Sequence, residues 1–330
     1  MADKRVVVTG GAGFVGANLV RSLLDGGGDG GGGGDGGGGG GDGSAGAEVV
    51  VIDDLSTGAR SNLDGCTGVV FHEGSVLDAE LLDHAMEGAT SVVHLAAIPS
   101  VPRSIDAPVA SHEANATGTL MVLEAARRAG GVHTIVASSS SVYGANPTLP
   151  KSEELRPEPL SPYAVSKLAA ESYALSYQRC YDLPTLPFRF FNVFGPLQAP
   201  GHAYAAVVPT FVDQALRGAP LTMHGDGEQS RDFTFVGTVT AVLRDAVERQ
   251  VTSTGPVNLA FGTRRTLNEL IEELASQLGH DLEVEHADPR PGDVRHSQAD
   301  QHRLRELFPD VVPVELPEGL AATIDWMRSR

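Results

Sequence analysis

Basic residues are scarce: the 330-residue chain has 24 Lys and Arg against 42 Asp and Glu, a formal net charge of -18. Nucleic-acid backbones are bound by a surplus of Lys and Arg, so no nucleic-acid partner is expected. A small anionic ligand remains open, because charges beyond a Debye length of roughly 8 to 10 Å are screened and a few local arginines can dominate a pocket. Cysteine is nearly absent, and Cys66 and Cys180 stand in no metal or redox spacing. No apolar run approaches the roughly 20 residues that cross a bilayer, and glycine breaks MADKRVVVTGG too early for a secretory leader. A cytoplasmic setting without a membrane partner is expected. The 11 histidines show no His-Glu-x-x-His spacing, so no metal is expected either.

Glycine is abundant in one place only. Residues 26–47, GGGDGGGGGDGGGGGGDGSAGA, hold 16 of the 40 glycines. The segment lacks the apolar positions of calcium-binding nonapeptides and reads as a flexible insertion. It joins the first helix to the second strand, at the sheet end away from where ligands bind in doubly wound folds.

Strand and helix patterns alternate through the first half: KRVVVTG, EVVVID, GVVFHEG, SVVHLAA, HTIVASSS and PTLPFRFF read as strands, with helices from Phe14 to about Asp25 and over 106–129. The expected fold is α/β, a Rossmann-like doubly wound parallel sheet with a smaller α/β substrate-binding lobe. Residues 1–191 form the first domain and 192–330 mainly the second, with about 233–262 returning to the first.

TGGAGFVG follows the first strand and opens a helix, placing Gly10 and Gly13 where backbone N–H groups and the helix dipole favour a pyrophosphate. The second strand ends in Asp53-Asp54, carboxylates suited to ribose hydroxyls and repulsive to a 2′-phosphate, which favours NAD over NADP. Ser161-Pro162 starts a helix that puts Tyr163 and Lys167 on one face. A nearby ammonium is expected to lower the tyrosine pKa and fit it as a general base. A solvated surface Tyr/Lys pair would be the plain alternative without the glycine turn and the hydroxyl-rich strand end SSSSVYG upstream.

TGGAGFVG, HLAA, SSSSVYG, YAVSK and RFFNVFGP together resemble the extended short-chain dehydrogenase/reductase family, and more narrowly its nucleotide-sugar 4-epimerases, over nearly all of the chain except the glycine insertion. The resemblance implies Tyr163 as base, Lys167 on the nicotinamide ribose, and Ser139 on the reacting 4-hydroxyl, with Ser140 the next candidate. It extends the NAD contacts to Phe14, Val15, Ser56, Thr57, Gly58, Ser75, Val76, Leu95, Ala96, Ala97, Asn115 and Phe190. Ser75 stands where relatives carry an aspartate that meets the adenine amino group.

Relatives that dehydrate or decarboxylate a sugar carry Asp or Glu just before Val-Tyr-Gly, where this chain has Ser140 and Ser141. Hydride removal and return remain, which is epimerisation. For a UDP-sugar, the resemblance places Arg231 and Arg290 on the diphosphate, Asp293 on the ribose and Asn192 near the sugar-linked phosphate. The strand PLTMHG, with Leu221 and His224, meets uracil. Ser100, Arg103, Ala206 and Val207 complete the set. A small Ser297 where relatives restricted to plain hexoses place tyrosine leaves room for an N-acetyl group. UDP-glucose/UDP-galactose, with UDP-GlcNAc/UDP-GalNAc sterically allowed, are the expected substrates. A 4-keto reductase, a UDP-glucuronate 4-epimerase and a non-catalytic nucleotide-binding protein are the alternatives. The family also implies a homodimer through the 106–129 and 162–180 helices.

Overall fold

The structure, a computed structural model, describes residues 4–25, 47–200, 206–288 and 294–330. Nearly all of the glycine insertion lies outside these residues, as do Arg290 and Asp293.

Apolar runs such as Val6-Val7-Val8 and Val49–Ile52, inside strands of five and six residues, build a seven-stranded sheet buried on both faces. Its strands are β1 (Arg5–Thr9), β2 (Glu48–Asp53), β3 (Val69–Glu73), β4 (Ser91–His94), β5 (His133–Ser139), β6 (Thr185–Phe190) and β11 (Val257–Leu259). They run in the order β11-β6-β5-β4-β1-β2-β3, and every pairing is parallel. The order reverses between β1 and β4, where doubly wound sheets open a crevice.

One face carries α1 (Phe14–Leu24), α8 (Val236–Arg249) and α10 (His302–Leu307), packing Leu19, Leu23, Val239, Leu243, Leu304 and Phe308 onto the strands. The other carries α2 (Ala79–Met86), α5 (Gly118–Arg128) and α6 (Pro162–Tyr181), with Leu82, Met86, Leu123, Ala170 and Ala174 inward. The single helix expected over 106–129 is in fact α3 (Val101–Asp106), α4 (Pro108–His112), one π turn (Glu113–Thr117) and α5. Pro108 ends α3, since proline disfavours helical backbone in the residue before it. Ser161 caps α6 by accepting the Ala164 N–H at 3.2 Å.

A smaller core gathers α7 (Val207–Leu216), β8 (Leu221–His224), α9 (Leu267–Leu278), β13 (Val284–Ala287) and α11 (Leu316–Arg328) around Phe211, Leu221, Met223, Leu270 and Leu320. Three short strand pairs complete the second half: β7 (Val193–Phe194) with β10 (Thr234–Phe235), β9 (Ser230–Asp232) with β12 (Arg264–Thr266), and β8 with β13. The chain leaves the large sheet after β6 and rejoins it at β11, with α8 packed against the large core in between.

Candidate active site

The glycine turn lies beyond β1, and Asp53, Leu95–Ala97, Ser139 and Phe190 lie at or just past the carboxyl ends of β2, β4, β5 and β6. Gly10 has φ +70, and a Cβ there would sit 2.6 Å from the Ala96 nitrogen; one on Gly16 would sit 2.1 Å from the Gly10 carbonyl oxygen. Only glycine permits so tight a turn. Gly13 is the cap residue before α1, and no side chain caps that end, so the N–H groups of its first turn have no capping side-chain acceptor.

Asp53 is buried, and both its oxygens are engaged: Oδ2 accepts from the Ala12 N–H at 2.9 Å and Oδ1 from the Leu55 N–H at 2.8 Å. Desolvation raises its pKa and these backbone donors oppose the rise. Asp53 therefore fastens the glycine turn to β2, a task the sequence reading did not give it, while its remaining lone pairs stay available to a ribose. Exposed Asp54 accepts from the Ser56 backbone N–H and hydroxyl. Thr57 is exposed and Gly58 half-buried on the same loop. Ser75 Oγ accepts the Leu77 N–H at 3.2 Å, so this hydroxyl closes its own turn; Val76 behind it is buried.

Tyr163 and Lys167 project from α6 toward the end of β5. Ser139 is the polar neighbour of the Tyr163 phenol, and Ser139 Oγ accepts the Ser141 N–H at 3.2 Å and its hydroxyl at 2.9 Å. Ser140 is half-buried in the following 3-10 turn (Ser140–Tyr143). The expected lowering of Tyr163 by Lys167 is not found. Desolvation pushes the phenol above its ordinary value and the Ser139 hydroxyl opposes that, whereas the Lys167 ammonium donates to the Ala137 carbonyl at 2.9 Å. Burial brings Lys167 down to about 8. An ammonium has three donors and one is used by Ala137, so this buried cation retains two for a ligand such as a ribose diol. With the uncapped helix end and the glycine turn, it makes these residues fit a dinucleotide.

Beneath this pair lies a network that the sequence did not reveal. Ser138 Oγ donates to Glu171 Oε2 at 2.8 Å, and Arg189 grips Glu171 through Nε at 2.9 Å and Nη2 at 2.6 Å. The Arg189 guanidinium also lies over the Tyr143 ring, 4.7 Å from its centroid. Glu171 is one helical turn beyond Lys167, but its partner on β6 is distant in sequence.

Asn115 is fully buried in the π turn; its Oδ1 accepts the Ile98 N–H at 2.8 Å and its Nδ2 donates to Ser166 Oγ at 3.0 Å. Ser100 caps α3 by accepting the Arg103 N–H, and Arg103 is exposed. In the second half, exposed Asn192 reaches the Asp232 carbonyl at 3.5 Å, beside Arg231. Arg231 Nη1 donates to the Ser230 and Arg295 carbonyls, and the Ser297 N–H donates to the Ser230 carbonyl. Asn192, Arg231 and half-buried Ser297 are thus brought together. The Leu221 side chain points into the small core and its N–H donates to the Glu283 carbonyl, so the side chain takes no part in a surface contact. His224 Nδ1 pairs with the Asp288 carbonyl at 2.9 Å. Exposed Ala206 and partly buried Val207 begin α7. Asp232 was not foreseen: it is fully buried, accepts the Ala299 N–H at 2.9 Å, and desolvation raises it to about 7. Among the described residues no group of three or more His, Cys, Asp or Glu could hold a metal ion.

Residues 41–260 match the family described as the NAD dependent epimerase/dehydratase family. The chain is 37% identical to a UDP-glucose 4-epimerase of Mycolicibacterium smegmatis, over 99% of each chain. Among solved structures, a UDP-N-acetylglucosamine 4-epimerase from Methanobrevibacter ruminantium, in complex with UDP-N-acetylmuramic acid, is 35% identical. It superposes with a TM-score of 0.89, covering 100% of this chain and 99% of the other. A UDP-glucose 4-epimerase of Thermus thermophilus in complex with NAD is 34% identical with a TM-score of 0.83, covering 98% of this chain and 99% of that one. With these matches spanning nearly the whole chain and the glycine turn, Tyr163, Lys167 and Ser139 at one end of the sheet, the chain belongs to the NAD dependent epimerase/dehydratase family.

Proposed function

We propose that the protein inverts C4 of a UDP-hexose, interconverting UDP-glucose and UDP-galactose and accepting the N-acetylated pair. The observation that carries this is the pairing of Tyr163 with its neighbour Ser139 at the end of β5, next to Lys167, in a strand end, SSSSVYG, that has no carboxylate. NAD, when bound, supplies a hydride acceptor that later gives the hydride back. Tyr163 takes the proton of the C4 hydroxyl as that hydride leaves, and returns it when the hydride comes back to the other face of the 4-keto sugar. For this the phenol must fall below its raised value; the Ser139 hydroxyl acts in that direction, and a cationic ring close by would add to it. Ser139 orients the reacting oxygen and Lys167 holds ribose hydroxyls with its two spare donors. Asp53 and Asp54 favour a ribose without a 2′-phosphate. Arg231, with Arg290 and Asp293 outside the described residues, takes the nucleotide diphosphate and ribose, and Asn192 the sugar-linked phosphate. The remaining contacts keep the assignments that the family resemblance implies, and Ser297 leaves room at C2. The N-acetylated pair is supported by the similarity to a UDP-N-acetylglucosamine 4-epimerase.

A proton NMR time course without added NAD, with UDP-glucose and UDP-GlcNAc supplied separately, tests the reading. Inversion of the H4 coupling is expected, and Tyr163→Phe should abolish it in a folded protein. Activity only on a 4-keto sugar with added reduced cofactor would make the protein a reductase, and fastest turnover of UDP-glucuronate would reassign the substrate.

In the same reading the protein is a homodimer joined through the 106–129 and 162–180 helices, a reading supported by the exposed Val109 and Val165 on α4 and α6. Sedimentation should give twice the mass of 34.4 kDa, and Val165→Asp should reduce it to the monomer. Residues 1–191 serve the cofactor and 192–330 mainly the substrate, with 233–262 returning to the first part. The setting is cytoplasmic, in keeping with two unpaired cysteines, and cell fractionation would test it. Among the described residues no helix is long and apolar enough to cross a membrane.

A further inference from the structure

His94 ends β4, is buried, and lies between two hydroxyls: Thr9 Oγ1 is 2.7 Å from its Nδ1 and Thr119 Oγ1 is 3.0 Å from its Nε2. The neighbouring bonds decide where each proton is. Thr119 Oγ1 lies 2.6 Å from the Asn115 carbonyl, which cannot donate, so the threonine's one proton goes there. Thr119 must then accept from His94, which requires Nε2–H. Burial, reinforced by the Lys167 charge, holds the ring neutral, its pKa lowered to about 3. Its bare Nδ1 therefore accepts the Thr9 proton, and Thr9 Oγ1 is left to receive the Ala96 N–H at 3.4 Å.

The same logic continues on the other side. Ser166 Oγ donates to the Tyr163 carbonyl at 2.8 Å and so accepts from Asn115 Nδ2, which fixes the amide with Oδ1 on the Ile98 N–H. The π turn at 113–117 brings this about by setting Asn115 toward α6 while Thr119, one turn on, meets His94.

We propose that His94 is a positioning residue: as a neutral Nε2–H imidazole it joins Thr9, at the mouth of the glycine turn, through Thr119, Asn115 and Ser166, to the backbone of Tyr163. The two walls between which hydride and proton transfer must be aligned are thereby held in one register. This role in turnover rests on the epimerase reading; the proton arrangement does not.

Two measurements test it. Long-range 1H–15N NMR of the full chain, with His94→Gln to assign the signal, should show an Nε2–H tautomer that does not titrate between about pH 5 and 8, although free histidine titrates near 6.5. A ring that titrates there, or carries its proton on Nδ1, overturns the chain. In kinetics, Thr119→Val removes the hydroxyl at nearly constant shape and should lower kcat on the order of tenfold, with KM for the UDP-sugar unchanged, because misalignment acts on the transition state more than on binding. Thr119→Ser, which restores the hydroxyl, should recover kcat. Adding Ser166→Ala to Thr119→Val should cost less than the two losses combined, since both cut one chain. Wild-type kcat in a folded Thr119→Val, no recovery in Thr119→Ser, or full additivity would each refute the positioning role. A wild-type protein that does not epimerise any UDP-sugar would instead refute the proposed function and leave the NMR result to judge the chain.

Discussion

Removing the Glu171 carboxylate should destabilise the protein far more than an average substitution. Glu171 and Arg189 are 3% and 2% exposed, and their two hydrogen bonds, at 2.9 and 2.6 Å, fill the carboxylate fork. In Glu171→Ala the guanidinium stays buried against Tyr143 with its main counter-charge gone, and Ser138 exchanges a 2.8 Å bond for the Lys167 carbonyl at 3.4 Å. Breaking a buried pair from one side costs about 3–5 kcal/mol. For 330 residues the unfolding entropy is on the order of 0.7 kcal/mol/K, so the thermal midpoint should fall by roughly 4–7 °C. Arg189→Met should cost a similar amount. The double variant Glu171→Ala/Arg189→Met should lose much less stability than the two single losses added together, because it leaves no buried ion without a partner. Scanning calorimetry and urea titration of all four proteins measure this. A single variant that shifts the midpoint by less than about 1 °C, or strict additivity in the cycle, would show that the pair contributes nothing particular.

Gly16→Ala should impair dinucleotide binding, since its Cβ would fall 2.1 Å from the Gly10 carbonyl; such overpacking costs roughly 1–3 kcal/mol, and unchanged NAD affinity in a fluorescence titration would contradict it. Asp232 has its folded pKa raised to about 7 from 3.8, so the folded state holds the proton more tightly and stability falls as pH rises between these values. Asp232→Asn should remove that slope from urea titrations taken at pH 5 and 8; identical slopes in both proteins would refute it. Lys167, lowered to about 8, loses its charge in the folded protein above that pH, and NAD affinity should decline as pH rises through it. A flat affinity from pH 7 to 9 would show that the ammonium is not what holds the nucleotide.

Much of the fold could be read from the sequence because its signals are local. Runs such as EVVVID, the glycine turn and the Ser161-Pro162 helix start each fix a short piece of backbone by themselves, and their alternation implies the parallel sheet. The π turn at 113–117 gives no such sign, because Glu113–Thr117 is ordinary helical sequence and the turn winds at a packing junction of α4, α5 and α6. Tyr163 and Lys167 were legible by their spacing, yet where the ammonium points was not: the Ala137 carbonyl that takes it lies 30 residues upstream. Arg189 and His94 were given no role because a lone ionisable residue in an apolar strand reads as an exception until its distant partner is known, and Asp232, in the polar strand Ser-Arg-Asp, reads as a surface carboxylate until its burial is seen.

The return of β11 to the edge of the large sheet has a consequence for autonomy. A fragment ending after β6 would expose that strand's unpaired edge and lack α8 and α10, whose Val239, Leu243, Phe308 and neighbours cover one sheet face. The half of the chain that ends after β6 is therefore not a separable module, although the glycine turn lies near the amino terminus. Unfolding should be cooperative across both halves, and a truncation that looks harmless on a motif map should yield aggregates in place of a smaller NAD-binding protein.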